Sequence, residues 1–400
     1  MKEMRGDLEK MKINYIENNI EYGIDYDWKI ILKEYKKIVP SDYHFITKIP
    51  FGKVGTVIEL SERSIGKTTN FLILGMIMNQ KYNTIIQYVR SKDDSIRPMA
   101  LQDLFSTILK YHYVEKITNN KYNSVEYNRR RWYFCNRDET GKITEISDKH
   151  FMFCCSVNKA IELKSSYNSP TGDLIIFDEF IGKYYPIDEF LNFLDLTKTI
   201  IRERLSATII LLANTIDKES QYFDELECRD LILEMECGDR QIYETSLGSV
   251  NYIEYLENAS ITKKEKKEIH NKKYYGYSNN RLNAITGHGW SITNYPHIMK
   301  RNKTIIYRYI EHSKRKVRLE LQNDEELGLY VNVVPCKHIF ENEIVFTLSD
   351  IPNKNYRYRF GYSKTDKIIW NLYKQNKFYY ATNGLGAFVK NYINQAMQIK

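Results

Sequence analysis

Residues 56–80, TVIELSERSIGKTTNFLILGMIMNQ, pass from an apolar, β-rich pattern through a short polar loop into an apolar pattern of helical length. Strand, loop and helix in that order is the setting of a phosphate-binding loop, where backbone N–H groups and a helix N-terminus face an anion. The full motif is Gly, four residues, then Gly-Lys-Ser/Thr. Gly66, Lys67 and Thr68 are in place, while Ser61 stands where the first glycine belongs. The expected nucleotide-binding loop is therefore Ser61, Glu62, Arg63, Ser64, Ile65, Gly66, Lys67, Thr68 and Thr69. In it Lys67 supplies a cation to the β- and γ-phosphates of ATP and Thr68 a hydroxyl to Mg²⁺.

A second stretch, DLIIFDEF at 173–180, ends a fully apolar strand pattern on two adjacent carboxylates. That is the form of a Walker B motif, with Asp178 holding Mg²⁺ and Glu179 polarising the attacking water. A base beside the metal-binding aspartate suits water attack, and so hydrolysis that drives motion, better than transfer to a small acceptor. ATIILLAN at 207–214 ends on Asn214, where an amide reaches the γ-phosphate or the water as a sensor. IIRERL at 200–205 carries Arg202 and Arg204. Two readings stay open for these arginines: a solvated face, or a finger donated to a neighbouring subunit's ATP.

The apolar centres of TVIEL, NTIIQYV, DLIIFDEF and ATIILLAN read as buried parallel strands, and the helical stretches between them predict a three-layer α/β domain. Past residue 245 the texture becomes charged and reads as a helical linker. From about 291, KTIIYRYIEH, LGLYVNVV and EIVFTL, followed by the helix-like GLGAFVKNYINQAMQI, predict a smaller α+β domain. The expected organisation is an ATPase domain at 1–245, a linker at 246–290 and a C-terminal domain at 291–400.

Charge divides the same way. Residues 241–400 hold 25 Lys and Arg against 14 Asp and Glu, leaving 34 against 37 before them. The basic excess is the footprint of a region that meets a polyanion. Lys314, Arg315, Lys316, Arg318, Arg357 and Arg359, interleaved with Tyr356 and Tyr358, are the expected phosphate contacts, without base readout. The six cysteines form no CxxC and no zinc spacing. No signal-peptide pattern opens the chain and no apolar run approaches the roughly 20 residues of a membrane span, so a soluble, intracellular protein is expected.

In this order the motifs resemble the DNA encapsidation ATPases of small tailed phages, the phi-29 type, relatives of the large terminase subunits. In that group the first loop glycine is often replaced and an arginine sits four before the lysine, as Arg63 does. QYVRSK after the second strand, Lys164 ahead of DLIIFDEF, and FLNFLDLTKTIIRER before LLANTI continue the likeness.

The resemblance implies a P-loop NTPase of the ASCE type, a helical linker and a C-terminal domain of degenerate RNase H-like form. It also implies a homo-oligomeric, pentameric ring that docks on the portal of a prohead in the host cytoplasm and pumps double-stranded DNA inward. In some relatives a packaging RNA takes part. Carried over by position, Lys164 acts across the subunit interface and Arg202 or Arg204 is the trans finger. Nuclease activity is not expected, because the acids of the C-terminal region are scattered. The competing readings are a P-loop kinase for a small acceptor and a nucleic-acid-binding scaffold with a silent loop.

Overall fold

The structure, a computed structural model, describes residues 26–61, 65–163, 172–182, 188–202, 204–214, 220–257, 295–298, 302–312, 315–349 and 351–398. Its first unit is built on a ten-stranded sheet. The strands are β1 (Thr56–Ser61), β2 (Ile86–Arg90), β3 (Ser124–Asn128), β4 (Arg131–Arg137), β5 (Ile143–Ile146), β6 (Met152–Ser156), β7 (Leu174–Asp178), β8 (Thr208–Asn214), β9 (Arg240–Glu244) and β10 (Val250–Leu256). They lie in the order β3-β4-β6-β2-β7-β8-β1-β10-β9, with β5 against β4.

The run from β6 to β10 is parallel, and antiparallel strands close both edges. The four apolar segments marked in the sequence are β1, β2, β7 and β8. They sit at the centre because only strands covered on both faces can be apolar throughout.

Each face of the sheet has its own core. Val57, Ile86, Tyr88, Leu174, Ile176, Ile210 and Leu212 pack under helices α1 (Trp28–Ile38) and α2 (Lys67–Tyr82). Ile58, Leu60, Val89, Ile175, Phe177 and Leu211 pack under helix α3 (Glu189–Ile201). In α2 every residue from Phe71 to Met78 is buried, so this helix has no polar face and belongs to the core.

Two expectations are corrected. Residues Val250–Leu256, read as the start of the linker, form β10, a parallel strand beside β1. Their NYIEYL pattern puts buried Tyr252, Glu254 and Leu256 on the α2 face, and the acid in its middle masked the strand character. The rest of the expected linker, 258–290, lies outside the described residues. The basic stretch after 314 is likewise a strand: β12 (Arg315–Asp324) is central in the second sheet, where alternate residues Val317, Leu319 and Leu321 are buried in the core.

That second sheet runs in the order β15 (Tyr356–Arg357), β14 (Val345–Thr347), β11 (Thr304–His312), β12, β13 (Gly328–Pro335), β16 (Phe378–Tyr380). β11, β12 and β13 form an antiparallel meander, with β14 parallel to β11 and β16 parallel to β13. Helices α4 (Lys364–Lys374) and α5 (Asn383–Ala396) supply Ile369, Leu372, Phe388, Val389 and Tyr392 to its core. No helix among the described residues is long and apolar enough to cross a membrane.

Candidate functional site

The registers of β1, β8, β7 and β2 place a row of polar side chains on one face of the sheet at its carboxyl end. Ser61 pairs with Asn214, Asp178 with Leu212, and Val89 with Phe177. With alternating side chains, Ser61, Asn214, Asp178 and Arg90 therefore point to the α2 side. The N-terminus of α2 enters this row directly.

Gly66 caps α2 at φ +83° with no side-chain cap, which leaves the first N–H groups of the helix without intrahelical partners. Only glycine suits the position: its φ is left-handed, and an added Cβ would stand 3.2 Å from Asn70 Nδ2. Asn70 Nδ2 donates to Gly66 O at 2.8 Å and accepts at Oδ1 from the buried Tyr35 hydroxyl of α1 at 2.6 Å. Helix α1 thus fixes the entry of α2.

Lys67 is buried at the head of α2. Its Nζ donates to Ser61 Oγ, and to Asn214 Oδ1 at 3.4 Å. Burial lowers its pKa to about 8, against the opposing pull of Asp178, Glu59 and Glu179. Thr68 and Thr69 follow, both half-buried, in the first turn.

Asp178 ends β7, buried; Tyr88 Oη donates to its Oδ2 at 2.8 Å and Arg90 Nη1 at 3.3 Å. Arg90 Nη2 also holds Glu179. Glu179 itself is exposed and sits at φ +54°, a conformation disfavoured for a side chain with a Cβ and found where structure over-determines it.

Beneath Lys67, Glu59 is fully buried on β1, with both carboxyl oxygens lacking a hydrogen-bond partner among the described residues. Burial and neighbouring Glu254 push its pKa well above the carboxylate range. Glu254, beside it on β10, accepts from Tyr252 Oη at 2.6 Å. It also lines a cavity of about 410 Å³ together with Tyr43, Lys48, Ile65 and Glu257. Tyr43 reaches within 3.6 Å of the Cβ position of Gly66, so the cavity opens beside the N-terminus of α2.

The two arginines of IIRERL part company. Arg204 is turned inward: its Nε binds Asp173, which is fully buried and also accepts from Ser206 Oγ at 2.6 Å and Tyr26 Oη at 3.0 Å. Asp173 precedes β7, at the opposite end of that strand from Asp178. Arg202 is exposed at φ +54° just after α3. Glu62, Arg63, Ser64, Lys164 and Lys314 lie outside the described residues.

The described members of the expected phosphate contacts of the C-terminal unit are largely engaged by neighbouring groups. Arg318 donates to buried Glu320 at 3.0 and 2.6 Å, Arg357 pairs with fully buried Asp366, and Lys316 Nζ lies 3.2 Å from Glu311. Arg315 stacks over Phe388 at 5.2 Å, and Arg359 lines a separate cavity with Trp370 and Met397. Nearby acids, two residues away in the case of Arg318, neutralise cations that the sequence shows only as a basic run. No group of three or more His, Cys, Asp or Glu that could hold a metal ion occurs among the described residues.

Sequence reasoning missed Arg90, Tyr88 and Glu59 as members of the site. Their signal was present: an arginine closing an apolar strand, and a lone acid inside TVIEL, are polar groups that a core strand has to satisfy.

No protein-family model and no curated protein matches the chain. Among solved structures it is similar to the Phi-28 gp11 DNA packaging motor, with a TM-score of 0.54 and 16% identity over 89% of this chain and 97% of that one. It is also similar to the bacteriophage Phi-29 viral genome packaging motor assembly, with a TM-score of 0.52 and 16% identity over 86% and 96%. The chain has the fold of these viral packaging motors.

Proposed function

We propose that the protein is an ATP-hydrolysing motor that moves double-stranded viral DNA into a prohead. The observation that carries this is the meeting of Lys67, Asn214, Asp178 and Glu179 at the head of α2, on one edge of a parallel sheet. An uncapped helix N-terminus, a buried ammonium and paired carboxylates are the donor set that a nucleotide with Mg²⁺ requires.

Lys67 leaves Ser61 to meet the β- and γ-phosphates, while Thr68 Oγ1 and Asp178 would hold Mg²⁺. Bound Mg²⁺ supplies the positive charge that steadies the phosphate oxygens. Glu179 orients the attacking water and takes its proton, and Asn214 holds the γ-phosphate side of the site. Arg90 occupies Asp178 and Glu179 together, so loading requires it to withdraw from Asp178. The cavity beside Tyr43 and Glu254 takes the base, because its acids repel phosphate and accept from a purine amino group.

By the same reading the chain works as a homo-oligomeric ring, pentameric by resemblance, on the portal of a prohead in the host cytoplasm. Arg63, Lys164 and Arg202 then act at the nucleotide, the last two from a neighbouring subunit, and a packaging RNA is a further partner by resemblance. The meander with parallel β14 beside β11 supports an RNase H-like C-terminal domain. The pairing of Asp366 and Glu320 with arginines argues against two-metal cleavage of DNA by that domain. The ATPase domain runs through β10, and a linker separates it from the C-terminal domain.

Glu179→Gln tests the assignment. The variant should bind ATP as the wild type does and lose turnover by at least 100-fold, the order of one general base. Wild-type turnover in the variant would contradict the role of Glu179.

A further inference from the structure

The turn joining β3 to β4 consists of Arg129 and Arg130, at φ +47° and +67°. Two central residues at positive φ define the type I′ hairpin turn, which normally takes Asn-Gly or Asp-Gly because a Cβ is disfavoured there. The neighbouring case among the described residues, Asn119-Asn120, uses the residue type that tolerates this backbone. Here two arginines are held in it.

The turn is bolted in place. Cys154 N donates to Arg130 O at 2.8 Å, and Arg130 Nη2 binds Asp93 Oδ1 at 2.7 Å, which also accepts from Ser156 Oγ at 3.2 Å. Arg131 lies over the Phe153 ring at 5.6 Å. The tip therefore sits at the carboxyl end of β6 and beside the loop that follows β2, on the same edge of the sheet as Asp178. What it presents is Arg129, exposed and without an acidic partner among the described residues, with exposed Lys92 on the adjoining loop.

Three strand spacings, about 14 Å at about 4.8 Å each, separate β4 from β7, the strand of Asp178, so Arg129 stands to one side of its own subunit's nucleotide. A guanidinium held at an outer turn by a costly backbone, with no acid among the described residues to neutralise it, suits a phosphate ester met without base readout. We propose that Arg129 is a contact for the phosphate backbone of double-stranded DNA, with Lys92 beside it. The inference rests on the proposed function and moves a DNA contact from the C-terminal unit, where the described cations of β12 and β15 are largely engaged by neighbouring acids and rings, to the ATPase sheet.

The test is Arg129→Asn in the full chain, with Arg129→Lys alongside, binding a non-specific DNA duplex across a salt series. Asparagine suits the turn, so the melting temperature should equal or exceed that of the wild type. Affinity at low salt should fall several-fold, and the slope of log K against log salt should become shallower by about 1. The lysine variant should keep most of the affinity. A variant that melts higher yet binds with wild-type affinity and slope would show that the arginine serves only the fold, and would overturn the contact alone. Altered assembly with unchanged DNA binding would overturn it in favour of a protein partner. Wild-type protein that binds no duplex would overturn the functional reading and the contact together.

Discussion

Two arginines two residues apart, identical in the sequence pattern, carry opposite jobs in the fold. Arg204 compensates a carboxylate that has no access to water: Asp173 is fully buried and shares its oxygens among Arg204, Ser206 and Tyr26. Removing one partner of such a pair leaves an uncompensated buried charge, which costs about 3–5 kcal/mol. Arg204→Ala should therefore lower the melting temperature sharply. Arg202→Ala, at an exposed position, should leave it within the range of surface substitutions, about 0.5 kcal/mol, and should lose turnover only where subunits assemble. Thermal melts of the two variants check the first statement. Turnover in mixtures of Arg202→Ala with Glu179→Gln subunits checks the second, since each supplies what the other lacks. Equal melting losses in both would contradict the division.

At the scale of elements, the central strands and helix α2 were legible because their signals are local. β1, β2, β7 and β8 announce themselves as short apolar runs, and Gly66-Lys67-Thr68 marks where α2 begins. What was not legible depends on partners distant in the chain. β10 carries Glu254, which Tyr252 Oη and the nearby cations Lys48 and Arg240 accommodate, and the acids that meet the cations of β12 do not show in its basic run. Gly75 is a further case. Inside a helix glycine is disfavoured by about 1 kcal/mol relative to alanine, and nothing local explains it. The fold does: a Cβ at residue 75 would stand 2.5 Å from Ile86 Cδ1 and Cγ1 of β2 and 3.0 Å from Leu174 Cδ2 of β7. Helix and sheet touch there, backbone to side chain. Gly75→Ala should consequently destabilise the protein despite its better helix propensity, because overpacking a tight core costs about 1–3 kcal/mol. A higher melting temperature in that variant would contradict this account of how α2 is seated.

For the whole molecule, the fold brings together Lys67, Asp178, Glu179 and Asn214, which the sequence grouped as one site. The sequence left Arg90 unassigned, because a strand-end arginine reveals its partners only when β2 and β7 are adjacent. The charge asymmetry along the chain pointed to the C-terminal unit as the region that meets DNA, yet ion pairs there absorb Arg318 and Arg357. A motor reading requires that the nucleotide site respond to DNA, wherever on the molecule DNA is held. The most direct test is the rate of ATP hydrolysis with and without double-stranded DNA over a salt series. The account predicts turnover that rises on adding DNA at low salt, with the stimulation fading as salt releases the duplex, and no turnover in Lys67→Ala under any condition. ATP turnover that is the same with and without DNA at the lowest salt would contradict it.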